Sequence, residues 1–187
     1  MDAYTYLLIP LLLFLPWGAI YIFIKKGKKR MVRMSLMGGL AWFIAEYWYF
    51  KDYWRPPALY GGAVIPVEDF LSGFFITGIA AAIYSFVFPM AELQLEQKRK
   101  KLFGYLFLTG VFTMFFFNTY LGFNSVVVST VIFTFFSIIM LALRTDLIKR
   151  ALVTGAFVIV LIIPIYALVF NFLSPHSWSY NSLLAKT

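Results

Sequence analysis

The sequence has no cysteine and one histidine, His176, among its 187 residues. It therefore has no disulfide framework, thiolate nucleophile or zinc–thiolate site, and imidazole-rich metal sites are all but excluded. Charge is scarce as well. Charged residues make up 13% of the chain, about half the roughly 25% of soluble domains. Hydrophobic residues make up 62% and the mean hydropathy is +0.84. In water, a chain of one domain's length has nowhere to hide that much apolar surface. A cytosolic domain, a disordered tail and a conventional nucleic-acid-binding module are excluded, and the solvent implied is a bilayer. The net charge of +8 then points to cytoplasmic loops rather than to a nucleic acid partner.

The residue alternation of membrane strands is also missing, and unbroken apolar runs such as Val126–Val128 and Phe157–Ile163 suit helices in lipid. A spanning helix needs about 20 mostly apolar residues. Six segments qualify, approximately Tyr4–Ile24, Met34–Phe50, Pro66–Phe88, Leu102–Phe117, Ser125–Leu143 and Ala151–Phe170. The fourth reaches spanning length when Asn118–Leu121 is added. The expected fold is an all-α polytopic bundle.

Lysine and arginine are retained on the cytoplasmic side. The first loop carries Lys25, Lys26, Lys28, Lys29, Arg30 and Arg33, the third Lys98, Arg99, Lys100 and Lys101, and the fifth Arg144, Lys149 and Arg150. These alternate loops hold thirteen of the sixteen basic residues. Both termini are therefore expected outside, together with the Lys51–Ile65 and Asn118–Asn124 loops. Met1–Ala3 lacks a positive region, so the first apolar run reads as a retained anchor rather than a cleaved signal. The basic loops read as topology determinants that also meet membrane lipid.

The acidic residues are distributed unevenly. Asp2 is terminal, and Glu92, Glu96 and Asp146 sit among basic residues in loops. Glu46, Asp52, Glu68 and Asp69 instead gather at the outer ends of the second and third helices and in the loop between them. Trp42, Phe43, Tyr49 and Phe50 lie three or four residues from Glu46, on its own helix face. The carboxylate is either an interfacial charge beside an aromatic belt or a partly desolvated functional acid. Ile65-Pro66-Val67-Glu68-Asp69-Phe70-Leu71 opens the third helix. Proline in the first turn and acids near a helix N-terminus are adequately explained by capping. Two adjacent carboxylates near a third also repel one another, which favours keeping a proton on at least one, while the helix terminus acts the opposite way. Asp52 and Arg55 are expected to pair at the surface. Trp54 and Tyr60 are interfacial anchors whose rings also suit a pocket mouth.

The Glu46-Tyr47-Trp48 helix end, a Trp-containing loop and Ile-Pro-Val-Glu-Asp-Phe-Leu opening an apolar helix together resemble the integral-membrane lycopene cyclase family, which is built from two related small subunits or their fusion. The resemblance covers about Trp42–Tyr84, and P-x-E-[ED] before a Phe/Leu-rich helix is its most specific part. It implies functional roles for Pro66, Glu68 and Asp69; Glu46 enters on position and chemistry. Trp54 precedes Pro66 by twelve residues, and Pro175-His176-Ser177-Trp178-Ser179-Tyr180-Asn181 is similar to the loop before a second motif in fused members. That pattern implies a three-helix unit over 4–89, a connecting helix over 102–121 and a second unit over 125–187 without its third helix. The expected complement is a seventh helix, a second cyclase subunit or a homodimer partner.

The implied reaction, cyclisation of a linear carotenoid end group, is an isomerisation that needs no cofactor by stoichiometry. It requires an acid, a base and a dry pocket tolerant of positive charge. Glu68 or Asp69 would supply the proton, with the other carboxylate or Glu46 as partner or final base. Trp42, Tyr49 and Trp54 would face the cation. Three alternatives remain. One is a hydratase, distinguished by product mass; another is a retinal-binding protein, which needs a lysine inside a helix that none of the six spans has; the third is a non-catalytic membrane subunit. The resemblance places the chain in the plasma membrane of a prokaryote.

Overall fold

The computed structural model describes residues 4–53, 67–88 and 97–173. Six α-helices account for nearly all of them: α1 (Tyr4–Phe23), α2 (Lys28–Asp52), α3 (Val67–Val87), α4 (Gln97–Thr119), α5 (Ser125–Leu143) and α6 (Ile148–Ala167). A 3-10 turn, Thr145–Leu147, precedes α6 and a π-helical turn, Leu168–Leu173, follows it. No strand occurs among the described residues. The fold is an all-α helical bundle of multi-pass membrane character.

Length and apolarity single out five helices able to cross a bilayer, and α2 is the exception to the six expected. It is long enough, since 25 residues at about 1.5 Å each give about 37 Å. Its hydropathy is lowered by Lys28, Lys29, Arg30, Arg33, Lys51 and Asp52 towards its two ends, and by a buried face that carries Ser35, Gly38, Gly39 and Glu46. Its outer face exposes Leu36, Met37, Leu40, Phe43 and Ile44. A helix covered on its polar side by a neighbour needs apolar residues only where it meets lipid.

The helices fall into two compact units. One holds α1, α2, α3 and the body of α6, and the other holds α4 and α5. In the smaller unit, Asn124 caps α5 by accepting from the N–H groups of Val126 and Val127 at 3.1 and 3.4 Å. Asn118 donates to the Phe123 carbonyl at 2.8 Å, and Gly122 turns the chain with φ +69°. Arg144 grips Asp146 through two hydrogen bonds of 2.6 and 2.5 Å, closing the turn after α5.

In the larger unit, α2 and α3 pair most extensively. Their contact is made by glycine. A Cβ on Gly38 would lie 2.1 Å from Thr77 Oγ1 and 2.8 Å from the Gly73 carbonyl. One on Gly73 would meet Trp42 Cγ at 2.5 Å and the Gly38 carbonyl at 2.8 Å. The two backbones therefore touch, the small-residue packing that drives helix association in lipid. Gly78 extends the seam, leaving room for Ser35 and Trp17, and Trp17 Nε1 donates to Ser35 Oγ at 3.0 Å. Apolar clusters close both ends. Ile20, Ile24, Met31, Ile79, Ala82 and Ile83 fill one. Ile9, Leu13 and Val169 fill the other, with Tyr6, Phe75, Tyr166 and Phe170 around them. At the first end Arg30 reaches across from α2 to Ser85 Oγ at 2.8 Å.

Gly38→Ala and Gly73→Ala are each expected to destabilise the protein by about 1–3 kcal/mol through overpacking. Gly18→Ala, with nothing within 4 Å of its Cβ, should be neutral. Thermal unfolding in detergent micelles checks this, and equal midpoints for Gly38→Ala and Gly18→Ala would refute the backbone contact.

Candidate functional site

The first turn of α3 carries Glu68 and Asp69 on consecutive positions, about 100° apart around the helix. Both turn inward; Glu68 is 1% exposed and Asp69 3%. The last two turns of α2 bring in Glu46, 6% exposed, near enough to Asp69 for their charges to interact. Glu68 interacts with Asp69 in the same way. Three carboxyl groups from two helices thus share one interior site.

Two tyrosines complete it. Tyr6, from the first turns of α1, donates its hydroxyl proton to Asp69 Oδ1. Tyr166, near the end of α6, is also within electrostatic reach of Asp69. Both helices are modified close to these residues. Pro10 in α1 is fully buried and has no N–H, so the Tyr6 carbonyl loses its usual i+4 partner. Pro164 does the same to Val160 in α6, and the π-helical turn begins two residues beyond Tyr166. Wider π turns recur where a helix presents a side chain to a functional site.

The demand for hydrogen bonds is not fully met. Glu46 Oε1 and Asp69 Oδ2 are buried with no hydrogen-bond partner among the described residues. A buried polar atom left in this state costs about 1–3 kcal/mol. Among the described residues, no group of three or more His, Cys, Asp or Glu side chains is placed to hold a metal ion. What they offer is a set of acceptors and proton carriers, away from water, at the meeting point of four helices.

The aromatic residues divide into two sets. Trp42 lies over Gly73, one turn along α3 from Asp69. Tyr49 packs edge-on against Tyr53 at 6.2 Å, and Lys51 sits 4.1 Å over the Tyr47 ring, an interfacial arrangement. A second set forms a continuous track from the carboxylates along α3 and α1. Phe70 contacts Phe74 at 6.2 Å, Phe74 contacts Trp17 at 5.4 Å and Trp17 stacks on Tyr21 at 5.2 Å.

Of the residues anticipated from sequence, Glu46, Glu68 and Asp69 come together, Trp42 borders them, and Tyr49 belongs to the outer aromatic set. Trp54 and Pro66, and Arg55 as the expected partner of Asp52, lie outside the described residues. Tyr6, Tyr166 and the Phe70–Tyr21 track were not anticipated. A usable signal existed: with helices alternating in direction, residues 6, 46, 68–69 and 166 all fall at the same end. An open groove on α5, lined by Ser129, Thr130, Phe133, Thr134 and Ser137, contains no acid or base. No protein-family model, curated protein or solved structure matches the chain.

Replacing Glu46 by an apolar side chain of similar length removes a buried oxygen without a partner and relieves repulsion of Asp69. Glu46→Met is therefore expected to raise stability by about 1–3 kcal/mol, read as a higher unfolding midpoint in micelles. A lower midpoint would mean that the carboxylate is fully compensated.

Proposed function

We propose that the chain is a membrane carotenoid cyclase that closes the ends of linear lycopene-like polyenes by acid catalysis. The observation that carries this reading is the convergence of three buried carboxyl groups and two phenols beside an otherwise apolar, aromatic-lined track. A carboxyl group in such a place can give a proton to an alkene and a neighbouring carboxylate can take one back, with little water to intercept the cation between the two steps. The resemblance of Pro66-Val67-Glu68-Asp69 and its helix to the integral-membrane lycopene cyclases supports the same chemistry.

The reaction begins as a carboxylic O–H breaks and a C–H bond forms at the terminal double bond, leaving a tertiary carbocation. The electron pair of a neighbouring double bond then forms the ring C–C bond and moves the positive charge into the ring. Loss of a ring proton to a second carboxylate makes the new double bond. Substrate and product have the same mass, and the proton returns to the first acid through the adjoining carboxylates. Faces of rings such as Trp42 and Phe70 stabilise the cation by about 0.5–2 kcal/mol each. That is small beside the cost of protonating an alkene, so placement of the acid is the larger contribution. The polyene enters laterally from lipid and lies along the Phe70–Tyr21 track. In this reading the carboxylate end faces outward in a prokaryotic plasma membrane, and the basic Lys28–Arg33 end faces the cytoplasm.

Expression in a lycopene-accumulating bacterial host, followed by chromatography with mass detection, tests the proposal. New pigments of unchanged mass are expected, and Glu68→Gln should lower them by at least about a hundredfold. Products heavier by one water would reassign the chain as a hydratase. Unreacted lycopene would remove catalysis by this chain alone.

A further inference from the structure

Cyclisation leaves open which carboxylate removes the ring proton. The cyclic cation can lose a proton from three neighbours of the charged carbon: the ring carbon bearing the polyene chain, the ring methylene or the methyl substituent. Each loss gives a different ring isomer, so the product is decided by where the base is held.

Asp69 accepts a hydrogen bond from another helix, from the Tyr6 hydroxyl to Oδ1. Its second oxygen, Oδ2, is buried and unpartnered among the described residues. Aspartate also has one fewer side-chain torsion than glutamate, so a single clamp fixes its carboxylate plane. Glu46 has no comparable clamp on Oε1. Tyr6 is itself well anchored, packing with Ile9, Leu13 and Val169 one turn before the buried Pro10. Tyr166, from α6, packs against the same cluster and against Phe170 at 5.9 Å.

We propose that Tyr6 is a positioning residue. By donating its hydroxyl proton to Oδ1 it aims Oδ2 of Asp69 as the base that removes the ring proton, and so sets where the ring double bond forms. The assignment rests on the cyclisation reading above. Tyr6 does not touch the reacting atoms and exchanges no proton with substrate. The C–H bond breaks toward Asp69 Oδ2, its electron pair becomes the new double bond, and the proton passes from Asp69 to the adjoining acid.

The test compares wild type with Tyr6→Phe, which keeps the ring and its apolar contacts, in the lycopene-accumulating host. Two quantities are read: the ratio of ring isomers, and labelling of Asp69 by dicyclohexylcarbodiimide, a reagent for carboxyl groups in apolar surroundings, by peptide mass spectrometry. The variant is expected to form rings at least about tenfold more slowly, as a displaced catalytic group does. It should also shift the isomer ratio severalfold and raise Asp69 labelling severalfold. A slower reaction with the wild-type isomer ratio marks a packing effect and overturns the assignment while leaving cyclisation in place. If wild type itself leaves lycopene unreacted, the cyclisation reading falls, and with it the role of Asp69 as ring base. Labelling then decides the clamp: unchanged Asp69 labelling in the variant removes that too, and increased labelling retains Tyr6 as the group that orients Asp69.

Discussion

The contact between the backbones of α2 and α3 at Gly38 and Gly73 is what the rest of the larger unit depends on. Lipid tails are as apolar as leucine, so burial of apolar surface gives these helices little reason to associate; close packing and hydrogen bonds must do it. Glycine at both positions brings each carbonyl to where the other residue's Cβ would be. That proximity permits only one register. Advancing two turns along α2 from Gly38 reaches Glu46, and stepping back one turn along α3 from Gly73 reaches Asp69. A slip of one residue would turn each carboxylate by about 100° and separate them. The tight seam and the carboxylate cluster are therefore one piece of construction.

The same geometry explains why the cluster is tolerated. Carboxylates at membrane depth are costly and occur where they face a bundle interior. Here Ser35, Gly38, Gly39 and Glu46 share the covered face of α2, and that face meets α3 instead of lipid. The polar residues in the middle of α2 and Glu46 are thus hidden by its neighbour, while the basic residues lie towards its ends. Exposed apolar residues such as Leu36, Leu40 and Ile44 still give the helix an outer surface fit for acyl chains.

Much of this was legible in the sequence, and the remainder was not, for a definite reason. Five spans can be read because each is a long unbroken apolar run, a local property. Glu46, Glu68 and Asp69 stand out because acids in apolar helix ends are rare. Gly38 and Gly39 announce close packing by the absence of a side chain. The roles of Tyr6 and Tyr166 depend on which helices are neighbours and how each is rotated. Tyr6 and Asp69 are 63 residues apart, and no local pattern connects them. The grouping of α6 with α1–α3 is likewise a property of the assembled unit. Trp17 and Phe74 pass in sequence for lipid-facing filler, and only the packing joins them into a track.

The two phenols at the carboxylates both sit beside irregular stretches of helix. An unbroken α-helix presents side chains at fixed steps of 100° and 1.5 Å, so a residue needed between two such positions requires a local change in the helix. Pro10 and Pro164 each leave one carbonyl without its helical donor, and the π turn after Tyr166 adds one residue to its loop of hydrogen bonds. Both irregularities fall within a few residues of the tyrosines and at the carboxylate end. Irregular backbone is costly in lipid unless protein covers it; Pro10 and Val169 are fully buried, whereas Pro164 and the Leu168, Phe172 and Leu173 positions of the π turn are exposed. Helix irregularity, paired phenols and clustered acids therefore share one end of the unit, where the three carboxyl groups are enclosed by protein.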